Sequence, residues 1–145
     1  MRFDIQNPLS ANQSFTGGAT VSTNSYQKQS ASQDLSIGRR MSLLCMVTEA
    51  AGAGSTHTMQ AIQADDSVLT GNQEVLNTVT VLAATLVVGY AFEIPIPEGS
   101  MSRTHLGFKN TSTGGTTTVK LDVYLVPADE IPKYKSFPKA IDTLV

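Results

Sequence analysis

The sequence predicts an all-β domain, an antiparallel sandwich or barrel, and three observations carry that reading. Between Thr116 and Val126, the residues Thr117, Val119, Leu121, Val123 and Leu125 alternate with Thr116, Thr118, Lys120, Asp122 and Tyr124. Period-two alternation puts one set on a buried sheet face and the other in water. Between Thr56 and Ala64, His57, Met59, Ala61 and Gln63 share one face and Thr58, Gln60, Ile62 and Ala64 the other. Finally, strand-like segments recur along the chain, each bounded by clusters of Gly, Pro, Asn, Asp or Ser.

Taken in order, the strand candidates are Ala19–Thr23, Asp34–Ile37, Ser42–Thr48, Thr56–Ala64, Val75–Val81, Thr85–Val88, Ala91–Ile96, Thr104–Asn110 and Thr116–Val126. Seventeen threonines suit a pleated, half-wetted surface. The segment 41–67 reads as a hairpin: an apolar strand, an Ala/Gly-rich connection, an alternating strand and an acidic turn at Asp65-Asp66-Ser67. Thr111-Ser112-Thr113-Gly114-Gly115 reads as a second hairpin loop, and Pro95-Ile96-Pro97-Glu98-Gly99 as a turn that ends a strand. Val75–Val88 competes as a helix, but its β-branched content favours strand.

Three zones follow. Residues 1–17 are rich in Asn, Gln and Ser without a sustained period and suggest an extended N-terminal arm. Residues 18–126 form the β domain. Residues 127–145 carry Pro127, Pro132 and Pro138, which remove amide donors and prevent helix or central-strand pairing. That C-terminal arm keeps Ile131, Tyr134, Phe137 and Ile141, apolar groups a polar linker does not need. These four are the candidate partner-binding residues, the aromatic pair foremost, because aromatic anchors dominate interface energetics.

Length and composition bound the rest. At 145 residues the chain is one domain, long enough to bury a core without metal or disulfide staples. The net charge of −2 argues against nucleic-acid binding, which needs a basic surface. From Met41 to Ser102 there are acidic residues (Glu49, Asp65, Asp66, Glu74, Glu93, Glu98) and no Lys or Arg; this reads first as charge scattered on solvated loops, and more sharply as an acidic end facing a basic partner. Cys45 is the single cysteine, so no intramolecular disulfide forms, and its apolar setting predicts a buried small hydrophobe. No signal peptide is visible at the N-terminus, and the apolar stretch Val79–Phe92 is too short for a bilayer-spanning helix; no membrane partner is expected.

No catalytic or cofactor site emerges. His57 and His105 are the two histidines, too few for a cupin-type metal centre, and His57-Thr58-Met59 lacks a second His at same-face spacing. Asp65-Asp66 could hold Ca²⁺ through carboxylate oxygens, but adjacent Asp residues after a strand more often cap a turn. Gly-x-Ser-x-Gly and Gly-Lys-Ser/Thr patterns are absent. With no Trp and few Tyr or Phe, stacking platforms for sugars or bases are scarce.

The order of features resembles the Bbp16-like capsid cement (decoration) proteins of tailed bacteriophages. The matching stretches are Asp4-Ile5-Gln6-Asn7-Pro8-Leu9-Ser10-Ala11-Asn12-Gln13, Val21-Ser22-Thr23-Asn24-Ser25-Tyr26, Asp34-Leu35-Ser36-Ile37-Gly38, Ile62-Gln63-Ala64-Asp65-Asp66-Ser67, Tyr90-Ala91-Phe92-Glu93-Ile94-Pro95 and Thr113-Gly114-Gly115. With the strand that follows the last of them, the resemblance covers roughly residues 4–126. The resemblance implies a jelly-roll-type antiparallel β-sandwich on the outer surface of an icosahedral shell. Its partners would be the major capsid protein and itself, as a homodimer or homotrimer on symmetry axes. It implies a virion protein made in the host cytoplasm, with no cofactor and no catalytic residues. The alternative is a virion receptor- or carbohydrate-binding β-sandwich head.

Overall fold

The computed structural model describes residues 8–16, 18–27, 40–52, 56–114 and 118–130. Nine strands run through them: β1 (Ser10–Thr16), β2 (Gly18–Val21), β3 (Tyr26–Gln27), β4 (Met41–Glu49), β5 (Thr56–Ala64), β6 (Glu74–Leu82), β7 (Ala91–Pro95), β8 (His105–Thr113) and β9 (Thr118–Pro127). Sheet A has the order β1-β9-β4-β7 and sheet B the order β2-β8-β5-β6, with β3 also on the outer edge of β8. All pairings are antiparallel. Only β2–β3 and β5–β6 stay within one sheet; every other connection crosses to the opposite sheet. This interleaving gives the four-stranded and five-stranded faces of a jelly-roll-type sandwich.

The core lies between the sheets. Leu43, Cys45 and Val47 of β4 and Val119, Leu121 and Val123 of β9 meet Met59 and Ala61 of β5 and Leu106 and Phe108 of β8. Each fully buried large side chain stabilises the fold by about 1.5–3 kcal/mol. Phe15 of β1 packs edge-on against Phe108 across the sandwich, with ring centroids 5.2 Å apart.

Several expectations change. Within the stretch 1–17 read as an arm, Ser10–Thr16 is the edge strand of sheet A. Leu9 and Phe15 are buried, and Ser10 Oγ donates to the Leu121 carbonyl at 2.8 Å. A register shift between Ser10 and Gln13, with Asn12 at φ 51°, breaks the alternation that would have revealed the strand. Gly18, at φ 54°, begins β2 where the chain passes to sheet B, a conformation glycine adopts without strain.

Both expected hairpins are corrected. β4 lies in sheet A and β5 in sheet B, so 41–67 bridges the sandwich. Likewise β8 continues through Thr111–Thr113 in sheet B, and β9 resumes in sheet A. Thr85–Val88 is not a strand: Ala83–Thr85 forms a 3₁₀ turn, and Leu86 points into the core. Pro127 ends β9 opposite Met41, and Ala128–Glu130 form a second 3₁₀ turn. The strand expected at Asp34–Ile37 lies outside the described residues.

Candidate interaction surface

All five exposed large hydrophobic side chains among the described residues fall between Val68 and Val88: Val68, Val75, Leu82, Val87 and Val88. Val75 and Leu82 stand near the two ends of β6, the last strand of sheet B among the described residues, with Val68 in the loop before it and Val87 and Val88 in the loop after it. From Val75 to Phe92 the chain carries no charged residue. Single exposed aliphatic groups are ordinary, but five of them on and around one edge strand make this a candidate contact surface.

Strand β6 is half-buried by its position. Val79 and Val81 pack toward the core, while Thr78, Thr80 and Leu82 face outward beside Gln60, Thr58 and Thr56 of β5. Beyond β5 the outward row continues with Lys109, Thr111 and Thr113 of β8. The outer face of sheet B is therefore threonine-rich and almost uncharged. Such an edge invites pairing unless something blocks it. Here Asn77 does so locally: its Nδ2 donates to the Pro95 carbonyl at 2.8 Å, and its Oδ1 accepts the Thr78 N–H at 2.8 Å.

The two ends of β6 are held rigid by different chemistry. At the Glu74 end, Gln63 is nearly fully buried and acts as a hub. Its Oε1 accepts the backbone N–H groups of Ser102 (2.9 Å) and Arg103 (3.0 Å), and its Nε2 donates to Glu74 Oε2 (3.0 Å). Arg103 bridges two carboxylates: Nη1 meets Asp65 Oδ1 at 3.0 Å, Nε meets Glu74 Oε1 at 3.0 Å, and Nη2 also contacts Glu74. Leu69, at φ 62°, folds back over the outer face of sheet B onto Ile62 and Ala64. Gly107 leaves room for it, since a Cβ there would lie 2.2 Å from Leu69 Cδ1.

At the Leu82 end, Ala83 and Leu86 are buried, and the turn closes through Leu86 N–H to the Ala83 carbonyl (3.1 Å) and Tyr90 N–H to the Val87 carbonyl (3.0 Å). Ala51 N–H reaches the Leu86 carbonyl at 3.1 Å, and Gly89 N–H reaches Val47 at 3.0 Å. Val87 and Val88 thus project from a tied-down tip.

The other candidate residues have structural surroundings. Asp66 accepts from Thr70 N–H (2.8 Å), Thr70 Oγ1 (2.7 Å) and Gly71 N–H (2.9 Å), and Asp65 accepts from Asn72 Nδ2 (2.6 Å) as well as Arg103. The Gly71 and Thr70 donors hold the Asp66 carboxyl below the usual range. Asn72 and Arg103 do the same for Asp65, and Arg103 then Gln63 for Glu74. This is a capped turn, and among the described residues no three His, Cys, Asp or Glu side chains converge on a metal position. His57 is buried between the sheets; burial pushes its pKa down, and a hydrogen bond with Asn110 offsets part of that. Within the acidic window, Glu49 pairs with Lys120 at 3.2 Å, and Asp65 and Glu74 share Arg103. Cys45 is fully buried, and burial pushes its thiol far up.

Tyr134, Phe137, Ile131 and Ile141 lie outside the described residues. Sequence reasoning passed over the β6 side, whose one legible signal was the charge-free run from Val75 to Phe92.

No family model matches the chain, and no curated protein matches it. Among solved structures it is similar to the crystal structure of PirA, with TM-score 0.40 and 12% identity over 85% of this chain and 100% of that one. It is also similar to the CBM22-1-GH10 modules of Clostridium thermocellum endo-1,4-beta-D-xylanase 10B complexed with xylohexaose, with TM-score 0.38 and 18% identity. That likeness covers 83% of this chain and 27% of the other.

Proposed function

We propose that this protein is a phage capsid cement or decoration protein. It binds the outer surface of an icosahedral shell and stabilises contacts between major capsid protein subunits. The ordered sequence resemblance across residues 4–126 motivates the reading. The observation that carries it is the set of exposed aliphatic side chains on and around strand β6, Val68, Val75, Leu82, Val87 and Val88. A cement protein works through one modest patch repeated over a symmetric lattice, where multivalency replaces a single strong site. Rigid presentation of that patch limits the ordering cost of each contact.

A carbohydrate-binding head calls for an exposed aromatic platform. The exposed large hydrophobics of the described residues are all aliphatic, which favours a protein partner. The test is to add purified protein to shells assembled from the major capsid protein alone. Saturable co-sedimentation and a raised shell melting temperature support the reading. Protein that stays in the supernatant at high concentration, or hits in a glycan-binding screen without shell binding, refutes it.

A further inference from the structure

The inner face of sheet B turns polar toward β2. By register, Val81, His57, Ser112 and Gly18 form one row across the sheet, and Val79, Met59, Asn110 and Thr20 form the next. Met59 of β5 and Phe108 of β8 face the core, so alternation turns His57, Asn110 and Ser112 inward with them. All three are shut away from solvent: His57 is 0% exposed, Asn110 1% and Ser112 6%. The core beside them is apolar, with Val79, Val81, Met59 and Phe108 on the same sheet. The His57 imidazole bonds to the Asn110 amide on the neighbouring strand. Asn110 Oδ1 and Ser112 Oγ, however, meet no partner in full hydrogen-bond geometry among the described residues. Buried polar atoms are nearly always paired, with protein or with ordered water.

We propose that one internal water molecule is bound between Asn110 Oδ1 and Ser112 Oγ. The two atoms are complementary to it. An amide oxygen only accepts, whereas a serine hydroxyl can donate. The water accepts the Ser112 O–H and donates one of its own hydrogens to Asn110 Oδ1. Its other hydrogen and lone pair face the polar neighbours in the two rows, His57 beside Ser112 and Thr20 beside Asn110. Thr20 points inward because Val21 packs on the outer face with Ile62, Ala64 and Leu69. The water thus reaches the roughly three hydrogen bonds usual for a buried water. Spacing agrees. Ser112 and Asn110 are two residues apart on β8, so their Cα atoms lie roughly 6.6 Å apart. A bridging water spans roughly 5–6 Å between its partners, and the reach of the asparagine side chain closes the difference. A metal cation is the poorer fit, because among the described residues no three His, Cys, Asp or Glu side chains converge. The water lets a polar corner stand inside the sandwich and holds the Asn110 amide toward His57. This inference does not depend on the capsid reading.

The test uses the full chain. A crystal structure of the natural sequence at atomic resolution is expected to show one water peak at roughly 2.7–3.2 Å from both Asn110 Oδ1 and Ser112 Oγ. No peak there overturns the proposal. So does a direct bond between Ser112 and a rotated Asn110 amide, or a side chain from residues 53–55 or 115–117 seated on the two atoms. In solution, magnetic relaxation dispersion of the water oxygen counts long-lived internal waters, and serine or threonine hydroxyl protons do not contribute to it. The count is expected to fall by one in Asn110→Leu/Ser112→Ala, and an unchanged count in a folded variant overturns the proposal. Should that variant fold poorly, the map of the natural protein decides alone.

Discussion

Replacing Gly107 with alanine puts a methyl group 2.2 Å from Leu69 Cδ1, 2.9 Å from Cδ2 and 3.1 Å from Cγ. Leu69 must retreat by roughly 1 Å or more to restore van der Waals contact. It has little freedom to do so: it is fully buried on Ile62 and Ala64, sits at φ 62°, and its carbonyl is held by Gln73 Nε2 at 2.7 Å. Overpacking of this kind costs about 1–3 kcal/mol, and full ejection of a leucine about 1.5–3. Gly107→Ala is therefore expected to destabilise the fold by about 2 kcal/mol. With a urea slope of about 2 kcal/mol per molar, the midpoint falls by about 1 M at unchanged slope. Leu69→Ala alone costs about 2 kcal/mol or more through lost burial, but it also removes the obstruction. The double variant is expected to match Leu69→Ala within about 0.5 kcal/mol, a coupling of about 2 kcal/mol. Additive costs, or a Gly107→Ala penalty below about 0.5 kcal/mol, would refute the idea that Leu69 locks the β5–β6 loop onto sheet B.

Other outcomes follow from the same contacts. Burial lowers the His57 pKa, so its stabilising neutral form is fully present above the unfolded value near 6.5. Stability should then decline as pH falls below that value toward the folded pKa, by at most about 1.4 kcal/mol per pH unit, and His57→Gln should flatten the slope in urea titrations at pH 7.5 and 5.5. Arg103→Gln should raise the carboxyl pKa of both Glu74 and Asp65 in an NMR titration, because Arg103 holds both down; an unmoved Glu74 contradicts the bridge. Leu82→Asp and Val88→Asp, both on exposed positions, should change stability by no more than about 0.5 kcal/mol in denaturant melts.

Local periodicity made most of the sandwich legible. β5 matches its sequence boundaries, and β4, β6, β7 and β9 are displaced by one or two residues. What local patterns cannot carry is sheet membership. The apolar run in Met41–Glu49 and the alternation in Thr56–Ala64 are the same whether the strands pair or sit in opposite sheets, so both presumed hairpins were misplaced. β1 escaped notice because its polar residues find partners at a distance, such as Asn12 N–H on Asp122 Oδ1, leaving only Leu9 and Phe15 as apolar signals. Leu86 misled in the opposite sense: its apolar neighbours suggested a strand, but a 3₁₀ turn delivers it to the core. The contact surface was hidden for a related reason. The Val/Thr pattern of β6 suits any half-buried strand, and only its place at the sheet edge exposes Val75 and Leu82.

The proposal that the β6 side of the jelly roll carries shell binding is decided by co-sedimenting the full chain with major-capsid shells alongside the Leu82→Asp/Val88→Asp variant. Saturable binding by the natural sequence is expected, with at least tenfold weaker binding by a variant of unchanged circular dichroism. Equal binding by both proteins, or none by either, would contradict it.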